Sequence, residues 1–143
     1  MAVRFVPICA IALVLGASGC GGSKSSSGTT GASSASNLVT KVQHASAQVE
    51  GKSVVATVKV TEGGKPGEHL TLRWGLVDAV SGVRASESEV LAAKYTTTSS
   101  VDTKEVTIHF PKPTPTDYLV HFALYGSDGS YLASSDTDVF TVH

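Results

Sequence analysis

The chain has two cysteines, Cys9 and Cys20, and none in the 123 residues that follow. Residues 38–143 can therefore form no internal disulfide, and their stability must come from apolar packing. About 105 residues suffice for one such core, with a modest margin. Aromatic residues are scarce, at 6%, and tryptophan occurs once, at Trp74. Basic clusters are lacking too. Eleven Lys and Arg are spread singly against twelve Asp and Glu, for a net charge of −1. So weak a field points away from a nucleic-acid partner.

Motifs for chemistry are also missing. There is no GxSxG elbow, no SxxK pair, no P-loop and no dinucleotide-type glycine pattern. HExxH and CxxC do not occur, and the five histidines stand alone. No catalytic residue, metal ligand set or cofactor is implied, and an enzyme is not expected. Glu87 and Glu89 lie two apart, but nothing apolar around them would raise a carboxyl pKa for acid–base work.

The long apolar run is short by membrane standards. Arg4 is the only charge before Phe5 to Leu15, a stretch too short to span a bilayer as a helix. Gly16, Ala17, Ser18 and Gly19 follow, and then Cys20. Small residues directly before a cysteine resemble the lipobox of bacterial lipoproteins, although Ala17 stands where that family prefers Leu. The resemblance covers residues 1–20. It implies that residues 1–19 are a signal peptide and that Cys20 becomes the acylated first residue of the mature protein. Two or three acyl chains on one residue give stable anchoring. Removal of Arg4 would leave ten basic against twelve acidic side chains. The expected location is the cell envelope, outside the cytoplasm.

Residues 21–36 are almost entirely Gly, Ser, Thr and Ala. Such a segment builds no core and reads as a flexible tether, with an r.m.s. reach of about 20–24 Å. Residues 20–37 are thus lipidated cysteine plus linker, and residues 38–143 the folded domain.

From residue 38 the texture becomes alternating. Val54, Ala56, Val58 and Val60 share one face, as do Leu70, Leu72, Trp74 and Leu76. Val106, Ile108 and Phe110 repeat the pattern, and so do Tyr118, Val120, Phe122 and Leu124. Period two with β-branched and aromatic residues marks half-buried strands. Strands are predicted over 39–49, 53–62, 68–77, 83–96, 101–110, 117–126 and 131–142. The stretch 87–95 could instead hold a helical turn. Asp128-Gly129 reads as a tight hairpin. Seven short strands predict an all-β, immunoglobulin-like two-sheet sandwich. The order of features is similar to immunoglobulin-like or fibronectin type III-like domains. Trp74 falls in the third strand, where the resemblance implies the central core tryptophan. Tyr118 follows a Pro-rich bend and is a candidate tyrosine corner.

Few residues offer themselves for contact. Leu119, Tyr125 and Tyr131 are predicted on or near the outer face of the last hairpin, with Val139 beside them, and form the possible binding surface. Tyrosine suits such surfaces because it joins area to a hydroxyl. His69 and His121 are both predicted outward on neighbouring strands and could approach each other. Asp136 and Asp138 share a face if extended, with Asp128 nearby. The expected function is a lipid-anchored, non-enzymatic envelope module that binds a protein or glycan. A small-ligand or metal-binding module using Asp128 or the His69/His121 face is the alternative, as is an accessory subunit of an envelope complex.

Overall fold

A computed structural model describes residues 37–85 and 89–143. The expected signal peptide, Cys20 and tether lie outside the described residues, as does Glu87. The described chain is all β. Its strands are β1 (Val39–Glu50), β2 (Ser53–Gly63), β3 (His69–Asp78), β4 (Val90–Thr96), β5 (Asp102–Pro111), β6 (Asp117–Tyr125), β7 (Tyr131–Asp136) and β8 (Phe140–Thr141). One sheet has the order β1-β2-β5 and the other β4-β3-β6-β7, with β8 also pairing β6. The fourth strand thus lies on the sheet of the third and sixth, not beside the fifth as in constant-type immunoglobulin domains. All pairings are antiparallel.

Alternation along each central strand builds the core. Val54, Ala56, Val58 and Val60 of β2 are fully buried. They share one cluster with Leu70 and Leu72 of β3 and Tyr118, Val120, Phe122 and Leu124 of β6. Phe122 is the largest fully buried side chain. Trp74 was expected at this centre but sits at its margin. It is partly buried and stacks on Phe110, with ring centroids 4.7 Å apart. Its cross-strand neighbours explain the position: Phe122 lies directly opposite on β6, and β4 begins only at Val90, which pairs with Trp74. Tyr118 does form a corner. Its buried ring leaves the hydroxyl 2.9 Å from Thr114 Oγ1, so the link runs to a side chain upstream and not to the backbone.

Three local devices escape a simple alternating pattern. In β1 the register breaks between Gln43 and Ser46, and His44 there has φ 53°. This bulge shifts parity, so Val42 faces the core before it and Ala45, Ala47 and Val49 face the core after it. The strand predicted over 83–96 forms only from Val90. Before it, Asp78 Oδ1 accepts the N–H groups of Val80 and Ser81 and folds the chain into a turn, leaving Arg84 a single bridge to Val77. Residues 90–95 are strand, not helix. The strand predicted over 131–142 is interrupted at Thr137. The Thr137 hydroxyl accepts the Val120 N–H and donates to the Asp138 carbonyl, and the ladder resumes at β8.

One charged cluster lies between the sheets. Glu62 of β2 is buried, with Oε1 2.7 Å from Lys104 Nζ of β5. The ammonium also lies 5.4 Å from the ring centroid of Tyr95 on β4. Glu62 Oε2 and the Tyr95 hydroxyl are both buried without a hydrogen-bond partner among the described residues. Burial, and secondarily the Glu62 charge, pushes the Tyr95 phenol up to about 12.

Two predictions follow from this packing. Phe122→Ala should cost about 3–5 kcal/mol, the range for a fully buried aromatic. Trp74→Ala should cost clearly less, and urea unfolding of both variants should show that order. The Tyr95 phenol, raised above its unfolded value near 10, contributes stability fully present below pH 10 and lost as pH rises through about 12. Tyr95→Phe removes a buried unpartnered hydroxyl and should raise stability by about 1 kcal/mol near neutral pH. Its alkaline loss of stability should be smaller than that of the wild type, as read from melts between pH 9 and 12.

Candidate functional site

The inner faces of both sheets are committed to the core, so chemistry and recognition fall to outer faces and loops. The outer face of the five-stranded sheet carries the richest set of side chains. On β6 the outward positions are Leu119, His121, Ala123 and Tyr125, because Tyr118, Val120, Phe122 and Leu124 point inward. On β3 they are His69, Thr71, Arg73, Gly75 and Val77 by the same alternation.

The register aligns these into rows. Thr71 pairs with Lys94 of β4 on one side and with Tyr125 of β6 on the other, and Tyr125 pairs with Tyr131 of β7. Lys94, Thr71, Tyr125 and Tyr131 therefore form one row across four strands, about 14 Å wide at the usual strand spacing. Arg73 stands in the next row, opposite Ala123. Its guanidinium lies 5.9 Å from the Tyr125 ring centroid. The Tyr125 and Tyr131 rings meet edge to face, with centroids 6.2 Å apart and planes at 74°. Tyr131 is 59% exposed.

Glu89 completes the arrangement. Its side chain is only 8% exposed. Oε1 lies 2.9 Å from Arg84 Nη2 and accepts the Tyr125 hydroxyl at 3.2 Å. Gly75 lies beneath it: a Cβ there would stand 3.7 Å from Glu89 Cγ, an ordinary packing contact. Partial burial, and then the bond to Glu89, raises the Tyr125 phenol above its ordinary value. Tyr125 therefore remains a neutral donor whose ring position is set from both sides. A cavity of about 400 Å³ opens here, lined by His69, Thr71, Arg73, Glu89, Tyr125 and Ser127 among others. A second groove of about 460 Å³ shares His69, Thr71 and Ser127 and extends past Lys94 and Thr96.

The floor of this end is the hairpin between β6 and β7. Gly126 N–H bonds the Ser130 carbonyl, and Gly129 takes φ 79°, which a side chain disfavours. Asp128 Oδ1 accepts the Ser130 N–H. Hydrogen bonds from the Ser130 side chain and then its backbone hold the Asp128 carboxyl below its usual range.

The structure joins some of the expected site residues and parts others. Tyr125 and Tyr131 are neighbours. Leu119 is half-buried, pairs with Val77 and stands six residues along β6 from Tyr125, about 20 Å away. Val139 is exposed but belongs to the break between β7 and β8, toward the Leu119 end. His69 and His121 do not meet: Gly75 lies opposite His121, and His69 is six residues further along β3. His69 Nδ1 bonds Thr96 Oγ1, while His121 Nδ1 bonds Asp136 Oδ1. Asp128 closes its own turn, and no three His, Cys, Asp or Glu converge to hold a metal among the described residues. Glu89, read from sequence only as a carboxylate with nothing apolar around it, is enclosed between Arg84 and Tyr125. Thr71, Arg73 and Lys94 went unmarked because alternation shows which side chains face out but not which of them share a row.

The sequence matches no protein-family model, and no curated protein is significantly similar to it. Similar solved structures include a putative β-galactosidase from Bacteroides fragilis, 18% identical, with a TM-score of 0.47 over 67% of this chain and 15% of the other. An alkylpurine DNA glycosylase from Pseudomonas fluorescens, bound to DNA with an abasic-site analogue, is 12% identical, with a TM-score of 0.48 over 68% of this chain and 29% of that one. A β-glucosidase from Kluyveromyces marxianus is 14% identical, with a TM-score of 0.46 over 76% of this chain and 14% of the enzyme. This chain thus spans less than a third of each, and the likenesses say nothing of its activity.

Proposed function

We propose that the chain is a lipid-anchored, non-enzymatic binding module of the cell envelope, held by acylated Cys20 and working by contact through the Tyr125/Tyr131 end of the five-stranded sheet. The observation that carries the contact reading is the pairing of those two rings across β6 and β7, just past a register shift at Leu124/Tyr125, beside an open polar groove. Strands hold side chains more tightly than loops do, so the surface is preformed. The anchor rests on the lipobox-like residues Ala17, Ser18, Gly19 and Cys20. The non-enzymatic reading is supported by Glu89, the acidic group in the groove lining, which is committed to Arg84 and Tyr125 and not poised for proton transfer. The partner class is an envelope protein or glycan.

Both halves are open to test in one strain. Wild-type chain should take up an alkyne-labelled fatty acid and enter the detergent phase, while Cys20→Ser should be unlabelled and released. Added back to isolated envelope fragments, the released chain should bind saturably. Tyr125→Ser with Tyr131→Ser should weaken that binding about tenfold or more with little change in melting temperature, as loss of interface anchors does. Leu119→Ser should leave it intact. Labelling of Cys20→Ser would overturn the anchor, and binding that ignores both tyrosines would overturn the surface.

A further inference from the structure

The groove has an unbalanced charge. Among the described residues the carboxylates in ion pairs are engaged by Lys65, Arg84, Lys104 and His121. Arg73 and Lys94 have no such partner there, and both are exposed. Both neighbour Thr71, Lys94 directly opposite it on β4 and Arg73 two residues along β3. Thr71 is the small residue between Lys94 and Tyr125, so the row dips at Thr71 and rises at the rings. The acid of the groove, Glu89, is already neutralised by Arg84. What remains is Lys94 at one end of the row, the two tyrosine rings at the other, and Arg73 in the next row beside the Tyr125 ring.

The chemistry of the lining narrows the ligand. Apart from the ring faces, glycine backbone and the buried Leu70, the walls are hydroxyl, imidazole, guanidinium, ammonium and carboxylate. Of the exposed aliphatic residues, Val80, Val83, Val101 and Val139 lie elsewhere, while Leu91 stands opposite Arg73 and Val90 opposite Trp74 on β4, outside the groove lining. A protein partner is normally anchored by several apolar side chains in a desolvated pocket, whereas here a single aliphatic side chain, Leu91, flanks a polar groove. A saccharide ring presents C–H groups on its faces and hydroxyls on its edges, matching tyrosine faces flanked by hydrogen-bonding side chains. An acid on that saccharide would satisfy Arg73, whose planar fork suits carboxylate and phosphate alike, and Lys94 as a point charge. The row crosses four strands, about 14 Å, which is the footprint of an extended chain and exceeds that of one sugar.

Taking the contact surface proposed above as its basis, we infer that the Lys94–Thr71–Tyr125–Tyr131 row, with Arg73, is a binding groove for an anionic polysaccharide whose acid is carboxylate or phosphate. The tyrosines stack on sugar faces and the two cations bind the acid groups.

Affinity electrophoresis of the purified full chain in detergent tests this. Three probe polymers are cast in the gel: polygalacturonate for carboxylate, phosphomannan for phosphate, and dextran as the neutral control. Retardation by one or both anionic polymers and not by dextran is expected, and the polymer that retards identifies the acid. Arg73→Gln, Lys94→Gln and Tyr131→Ala should each weaken retention by about tenfold, since charge-assisted contacts are the strong ones. Lys59→Gln, on the outer face of the other sheet, should not. Retention should fall steeply with added salt. Equal retardation by dextran that still depends on Tyr131 would overturn the anionic ligand and leave the contact surface standing. Retardation lost equally in Lys59→Gln would overturn the groove itself, as would no retardation by either anionic polymer.

Discussion

Two sheets without a disulfide between them are held by the apolar faces of their central strands, and everything else in the domain depends on that contact. β2 lies between β1 and β5, and β6 between β3 and the β7/β8 edge. Being central, each has both backbone edges paired, so its inward side chains are covered from above and its backbone is covered at the sides. Val54, Ala56, Val58 and Val60 meet Val120, Phe122 and Leu124 with no exposed surface on any of them. Full burial of one such large side chain is worth about 1.5–3 kcal/mol. A chain this poor in aromatics thus draws its large core side chains from β3, β5, β6 and β8 and lets the valines of β2 fill the space between them.

That arrangement leaves the edges to be managed separately. β5 is an edge strand, and it carries Asp102, Lys104 and Glu105 and ends on Pro111. Charges and proline on an edge discourage pairing with another chain. β1, the opposite edge of the same sheet, bulges at His44. A bulge there both twists the edge and re-aims the alanines that follow toward the core. The five-stranded sheet, by contrast, keeps a regular ladder between β3 and β6 over eight residue pairs, from Thr71–Tyr125 to Asp78–Tyr118. That unbroken ladder carries Tyr125 and Arg73 on its outer side. Core strands and contact surface are the same strands read from opposite faces.

Much of this was legible from residue order. The alternation of β2, β3 and β6 named their buried residues correctly, and six of the seven predicted strands begin within a residue of where they form; only the fourth starts late, at Val90 instead of residue 83. The failures have physical causes. Trp74 has the right face, but being the only tryptophan does not make it central; Phe122, across the ladder, holds that place. Thr137 looks like an ordinary strand residue until its hydroxyl substitutes for a ladder group, and His44 in a left-handed conformation has no local signature. The candidate surface was half visible. Tyr125 and Tyr131 were found because a tight hairpin sets its own register. Thr71 and Lys94 belong to the row only through pairings between strands 23 and 54 residues apart, and no local pattern encodes those. The pairing of His69 with His121 failed for the same reason, since facing the same way on adjacent strands does not imply the same height.

If the contact surface is preformed because it shares strands with the core, its backbone should open only when the core does. Native-state hydrogen exchange measures this directly. Paired amides of β3 and β6 in the Thr71–Tyr125 stretch should exchange with the same opening free energy as those of Val58 and Val60 in β2, equal to the global unfolding value, while the unpaired amides of the turns exchange freely. Exchange of the Thr71 and Tyr125 ends through a local opening well below the global value would contradict it, and would make the surface a mobile rim that orders only on binding.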